Sequence, residues 1–418
     1  LKKRSVLAVG LVSWLTLAVP AQSPAAAPNR AEQVQQMLDR RSDAVARHDK
    51  NAFMATVDPP AADFRTRQSG WFDRFTALQI SGYQLKLNLQ DVPELTRKRD
   101  QEAYKAPVMV AGVDERYRLG DFDTKPALDT LFLTFVQRAG GWVVASDTAV
   151  EDLGLLSSRL PWDFGPVRLT SSDHFVLFAH PDQADFAKDL LPLAEASLPE
   201  VARVWSQPWH QKVPIFLPST AGELDRMLGE TVDVSNFVAF ASYEVDHSGD
   251  QDFSVVGHRI FLNRPNFSRH SEQSRRNIFA HELLHVATSE YSGPFVPLWV
   301  EEGIAQIAES KGHGSVAGLN NVIKAKRFDQ KLPDDLEFIS GSGGAIFLSY
   351  QEALSALEYM ESHYGIAKVD AFYQTLGAGR IEPGTARYHM EKVLHDTLGV
   401  SFDQFQSDWA SYAVAHAG

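Results

Sequence analysis

Two histidines and a glutamate fall together in the pentapeptide His281-Glu282-Leu283-Leu284-His285. The residues around it, 275–290, are patterned as a helix, where positions four apart lie one turn apart on one face. Both imidazoles then reach a single ion. Glu282 is held beside that point, where a general base acting on water is wanted. Leu283 and Leu284 suit a helix packed in a core. A pentapeptide is a short motif, and the rival reading at this stage is a pair of helix histidines held by local hydrogen bonds.

Further along the chain reads Pro297-Leu298-Trp299-Val300-Glu301-Glu302-Gly303-Ile304-Ala305. Together the two segments resemble the gluzincin metallopeptidases, whose third metal ligand is the glutamate of a W-x-x-E-G-x-A segment on the following helix. The resemblance covers about residues 250–418 and is strongest over 278–416. It implies Glu302 as the third ligand, with Glu301 as an exposed neighbour. It also implies that Glu309, seven residues on, holds a carboxylate against a ligand histidine and so fixes its tautomer. A solvated acid on the helix face is the alternative for Glu309. Residues 253–263 match the strand whose edge binds the substrate backbone in that family. The C-terminal pattern is similar to the peptidase-MA-like group, with Ser349-Tyr350 opening a long helix that His363-Tyr364-Gly365 ends. Leu398-Gly399-Val400-Ser401 then precedes a last helix bearing Trp409. In that group a Tyr or His on a later helix stabilises the oxyanion. Tyr350 is the first candidate, ahead of His363 and Tyr364, and a core tyrosine is its alternative reading.

The implied site is therefore His281, His285 and Glu302 with one open position, the arrangement of a catalytic rather than a structural metal. Nitrogen and oxygen donors in tetrahedral geometry suit one Zn2+ per chain, with cobalt or manganese as substitutes. A metzincin would need a third histidine where Tyr291 stands, and no aspzincin pattern is visible. The G-x-M-E-N segment by which aminopeptidase relatives grip a free amine is missing, which favours endopeptidase action. The other 12 of the 14 histidines, His174, His258 and His389 among them, have no ligand-spaced partners and read as surface or structural. There is no G-x-S-x-G elbow, Walker loop or dinucleotide fingerprint, and the Ser340–Gly344 tract reads as a lead-in to the helix carrying Tyr350.

These residues must be positioned by a 418-residue chain with 44% hydrophobic residues and no cysteine, which excludes thiolate sites and disulfides. Lys2, Lys3 and Arg4, an apolar run over 5–19 and small residues after it read as a signal peptide over 1–27. An uncleaved membrane anchor is the alternative reading, but the run falls short of the ~20 apolar residues needed to span, and no stable membrane insertion is expected once the leader is removed. Losing its three basic residues takes the net charge from −13 to −16. That balance argues against a nucleic-acid partner.

An α+β architecture is expected. Residues 28–160 give helices first, then period-two runs at 83–89, 108–113, 131–136 and 142–145, the last two joined through Gly140-Gly141. This order, with the RRSDAVARHDKNAFMATVDP opening, loosely resembles nuclear-transport-factor-2-like domains. A joint at 160–166 (LPWDFGP) leads to residues 167–418, read as the gluzincin domain with a small β-sheet subdomain and a mainly helical C-terminal one. Strands are expected at 175–179, 213–217, 237–245 and 253–263, with a helix over 183–205 and a capped helix start at Thr220–Glu223.

The expectation is thus a zinc metallopeptidase, secreted or in the cell envelope of a bacterium, acting on a peptide or protein substrate. Glu282 would be its base and Tyr350 its oxyanion donor. The alternatives are a non-catalytic envelope or binding protein on a peptidase-like scaffold, and a zinc hydrolase of another amide or a cell-wall peptide.

Overall fold

The computed structural model describes residues 29–417 apart from 79, 90–93, 231–236, 247–253, 294, 311–313, 341 and 380–384. The leader expected over 1–27 lies outside the described residues, and no helix among them is long and apolar enough to cross a membrane. The chain is α+β. Helices Arg30–Ala46, Lys50–Ala55 and Ala62–Thr76 come first. They are followed by an antiparallel half-barrel sheet of β1 (Ser81–Asn88), β2 (Val108–Arg118), β3 (Ala127–Arg138) and β4 (Gly141–Ser146) in sequential order. Val34, Met37 and Leu38, spaced along one face of the first helix, bury against Leu85, Met109, Val113, Phe135 and Val144 of that sheet.

The second sheet is mixed. Its strands are β5 (Arg168–Ser171), β6 (Phe175–Ala179), β7 (Val213–Leu217), β8 (Ala239–Asp246) and β9 (Ser254–Leu262), in the order β5-β6-β7-β9-β8. β6, β7 and β9 run parallel, while β5 and β8 are antiparallel edges. β6 and β7 are buried at every residue, as their unbroken apolar runs FVLFA and VPIFL require. The pleat divides them between two cores. Phe175, Leu177, Val213, Ile215 and Leu217 face the C-terminal helices. Val176, Phe178 and Phe216, with Phe261 of β9, face the other way and pack with Phe72, Phe75, Tyr117 and Trp162 from the first 166 residues. The 160–166 joint lies inside this second core, as a helical turn Pro161–Phe164 with Leu160 and Trp162 buried.

A polar clasp reinforces that contact. Asp123, in the β2–β3 connection, pairs with Arg259 of β9 at 2.6 and 3.1 Å, and both are fully buried. Thr124 N–H donates to the Val256 carbonyl at 2.8 Å. Gly257 makes room for this: a Cβ there would sit 2.2 Å from the Asp123 carboxylate.

Three local expectations are revised. The helix expected over 183–205 is regular only as Leu190–Val204, after short turns at Pro181–Gln183 and Ala184–Ala187. At Thr220 only half of a capping box forms. Its hydroxyl accepts from Glu223 N–H, but the Glu223 carboxylate turns to Ser219 N–H and His180. Ser349-Tyr350 does not open its helix, which runs Gly343–Tyr364 from an N-cap at Ser342, so Tyr350 sits in its second turn.

Candidate metal centre

Three helices build the site. The histidine helix, Glu272–Thr288, starts at Ser271, whose side chain accepts from Ser274 N–H. Phe279, Ala280, Leu283, Leu284 and Ala287 bury it against the second sheet and its neighbours, which fixes its rotation and leaves His281 and His285 on the cleft face. The glutamate helix, Leu298–Ser310, has its Leu298 N–H capped by the Asp335 carboxylate at 2.8 Å. The tyrosine helix, Gly343–Tyr364, crosses the glutamate helix at Gly303. A Cβ at Gly303 would meet the Ala353 carbonyl oxygen at 2.6 Å and a Leu357 methyl at 2.7 Å. The glycine after Glu302 therefore sets how closely Tyr350 approaches the ligand. Gln306 ties the two helices again by donating to the Tyr350 carbonyl at 2.7 Å.

His281, His285 and Glu302 form a group that could hold a metal ion. The two Nε2 atoms are 3.2 Å apart, and Glu302 Oε2 lies 3.3 Å from that of His281 and 3.5 Å from that of His285. Donors at the 2.0–2.1 Å bond lengths of a tetrahedral zinc site are separated by about 3.3 Å. The triangle has that size already. Glu302 Oε2 is buried and makes no hydrogen bond of its own, as expected of an oxygen waiting for a cation. The residues present therefore fit a divalent ion with nitrogen and oxygen preference.

The electrostatics agree. Burial would push the Glu302 carboxyl up, but His285 and His281 outweigh it and hold it well below the usual range. Burial likewise disfavours charge on the two imidazoles, yet Glu302 raises both, with Glu309 adding to the effect at His281. The site is one that demands positive charge. Glu309, two turns beyond Glu302, places Oε2 3.1 Å from His281 Nδ1, so Nε2 is left to face the ion position.

The cleft beside these donors holds about 280 Å3 and is lined by Ala239, Ala241 and Tyr243 of β8 as well as Glu282 and Tyr350. Burial raises the Glu282 carboxyl, against the pull of His281, His285 and the Ala241 N–H. Burial raises the Tyr350 hydroxyl too, and the Glu302 and Glu282 carboxylates add to it, so it stays a proton donor at neutral pH. His363 and Tyr364 lie at the far end of the same helix, stacked around Tyr359 and away from the cleft. His174, His258 and His389 find local partners in Glu195, Ser289 and the Leu376 carbonyl, as structural histidines do.

Two expectations change. The strand at the cleft is β8, not the segment 253–263. β9 lies inside the sheet order, whereas β8 is its end. Asn263 N–H donates to Val238 O, so residues 238, 240 and 242 turn their backbone groups to β9 and 239, 241 and 243 turn theirs outward. Glu301 is the second case. It is not a solvent-facing neighbour: it lines the cleft, and burial pushes its carboxyl up to about 7. The cleft residues Tyr243, Thr288, Ser292, Glu301 and Tyr373 carried no sequence signal, because they meet only through tertiary packing.

No protein-family model matches the chain, and no curated protein matches it either.

Proposed function

We propose that the chain is a secreted, zinc-dependent metallopeptidase of the gluzincin type that hydrolyses internal peptide bonds. The observation that carries this reading is a donor triangle of tetrahedral dimensions beside a buried glutamate, under the strand that ends the second sheet among the described residues. His281, His285 and Glu302 would hold the zinc, which supplies Lewis-acid polarisation of a carbonyl and a lowered water pKa. An extended peptide pairs with the outward backbone groups of Ala239 and Tyr243 and with the Ala241 carbonyl, which brings its scissile carbonyl over Glu282. Glu282 takes a proton from the attacking water as the new C–O bond forms. It delivers that proton to the amine as the C–N bond breaks. The Tyr350 hydroxyl donates to the oxygen on which negative charge develops. The basic and apolar start of the chain belongs with this reading as an export signal.

The test is zinc stoichiometry together with cleavage of a mixed peptide library, with and without chelator. One zinc per chain and chelator-sensitive cleavage are expected. Glu282→Gln should keep the zinc and lose about 10²- to 10⁴-fold in kcat. A folded, inert wild type that binds no metal would favour a binding protein on a peptidase-like scaffold. Full activity in E282Q would sink the mechanism.

A further inference from the structure

Glu301 has no part in the chemistry above, yet its carboxylate lines the same cleft. Ser292 hydrogen-bonds with it, and the Tyr373 hydroxyl stands 2.6 Å from Ser292 Oγ. Tyr243 of β8 and His285 line the cleft with it and lie close enough for their charges to act on one another. Among the described residues, no lysine or arginine lines the cleft. Of the three glutamates in it, Glu302 is committed to the ion and Glu282 to proton transfer. Among the described residues, no lysine or arginine forms an ion pair with Glu301.

We infer that Glu301, with Tyr243 and Tyr373, forms a subsite for a lysine or arginine side chain next to the scissile bond. The inference rests on the peptidase reading and names its substrate class. An ammonium or guanidinium entering there makes charge-assisted hydrogen bonds to a carboxylate that a serine hydroxyl also reaches. The two tyrosine rings give the cation and its aliphatic stem aromatic walls. A neutral side chain leaves the carboxylate desolvated and unpaired, which is how a polar subsite rejects a substrate lacking its partner. Glu301 is thus a specificity residue, while Glu282 and the ligands act on any peptide.

The experiment uses the full chain loaded with zinc and two peptides that differ only in carrying arginine or its neutral isostere citrulline at each position flanking the cut. Wild type should prefer arginine at one such position, and the arginine-to-citrulline ratio of kcat/KM should fall by about 10- to 100-fold in Glu301→Gln. Glu301→Lys should favour an acidic residue there instead. Zinc content is measured in each variant, since the neighbouring residue is a ligand. The same peptides are titrated by calorimetry into E282Q and into E282Q/E301Q, which reads binding without turnover. Tighter arginine binding that depends on Glu301, in a protein that never cleaves, would keep the subsite and overturn the peptidase. Equal affinity for the two peptides, or an arginine preference that survives Glu301→Gln, would overturn the subsite itself.

Discussion

Glu309 shows most plainly how a side chain outside the donor triangle can fix the orientation of one within it. Its carboxylate accepts the Nδ1 proton of His281, so the other ring nitrogen carries its lone pair toward the donor triangle. Glu309→Ala removes that acceptor and frees the ring to rotate. Zinc affinity should fall by about 10- to 100-fold with little change in secondary structure, measured by competition with a chromophoric chelator. Unaltered affinity would make Glu309 a surface acid after all. This residue was legible in the sequence because it lies on the same helix face as Glu302, two turns on. Glu301 was misjudged for the complementary reason. One step along a helix turns a side chain by about 100°. Whether that direction meets solvent depends on Ser292, Tyr373 and Tyr243, which come from other segments of the chain.

The three helices and one strand around the site differ in how much of their placement is local. The histidine helix announces itself by two histidines one turn apart and by its apolar content, and the glutamate helix by its own short motif. Their crossing with the tyrosine helix depends on Gly303, whose missing side chain accommodates a backbone carbonyl. Gly303→Ala puts a methyl into that contact at an overpacking cost of about 1–3 kcal/mol. The gain of about 1 kcal/mol in helix propensity offsets only part of it. The variant should melt at a lower temperature than wild type and lose activity out of proportion, because Tyr350 moves away from Glu302. A variant with unchanged melting and activity would show that the helices can part without consequence. The strand next to the cleft was read correctly as a strand but not as the edge. Pairing order is a long-range property, and nothing within 237–263 tells which of two successive strands ends the sheet.

At the scale of the whole chain, the second sheet is covered on both faces, and the two coverings come from opposite ends of the sequence. The C-terminal helices bury one face. Phe72, Phe75, Tyr117 and Trp162 bury the other, and the Asp123–Arg259 pair pins them in place. A fragment of residues 167–418 would uncover Val176, Phe178, Phe216 and Phe261 and strand the Arg259 guanidinium without its carboxylate. That fragment should aggregate or bind hydrophobic dye, and bind zinc poorly, even though it contains every proposed ligand. A monomeric fragment with full zinc affinity would show that the N-terminal part is dispensable for the site. The general plan, helices then antiparallel strands then a mixed sheet and more helices, was readable from periodicity. The shared core was not, since alternation within β6 and β7 shows only that both faces are buried and not what buries them.

The clasp between Asp123 and Arg259 also has a consequence in time. Synthesis runs from the N-terminus, at about 5–20 residues per second. The surface bearing Trp162 and the Asp123 turn therefore leaves the ribosome well before the strand that carries Arg259. For that interval an aromatic face and a carboxylate destined for burial are both uncovered, and they close only when β9 arrives. The candidate metal site needs Glu302, so its last donor is synthesised only after both halves of the clasp.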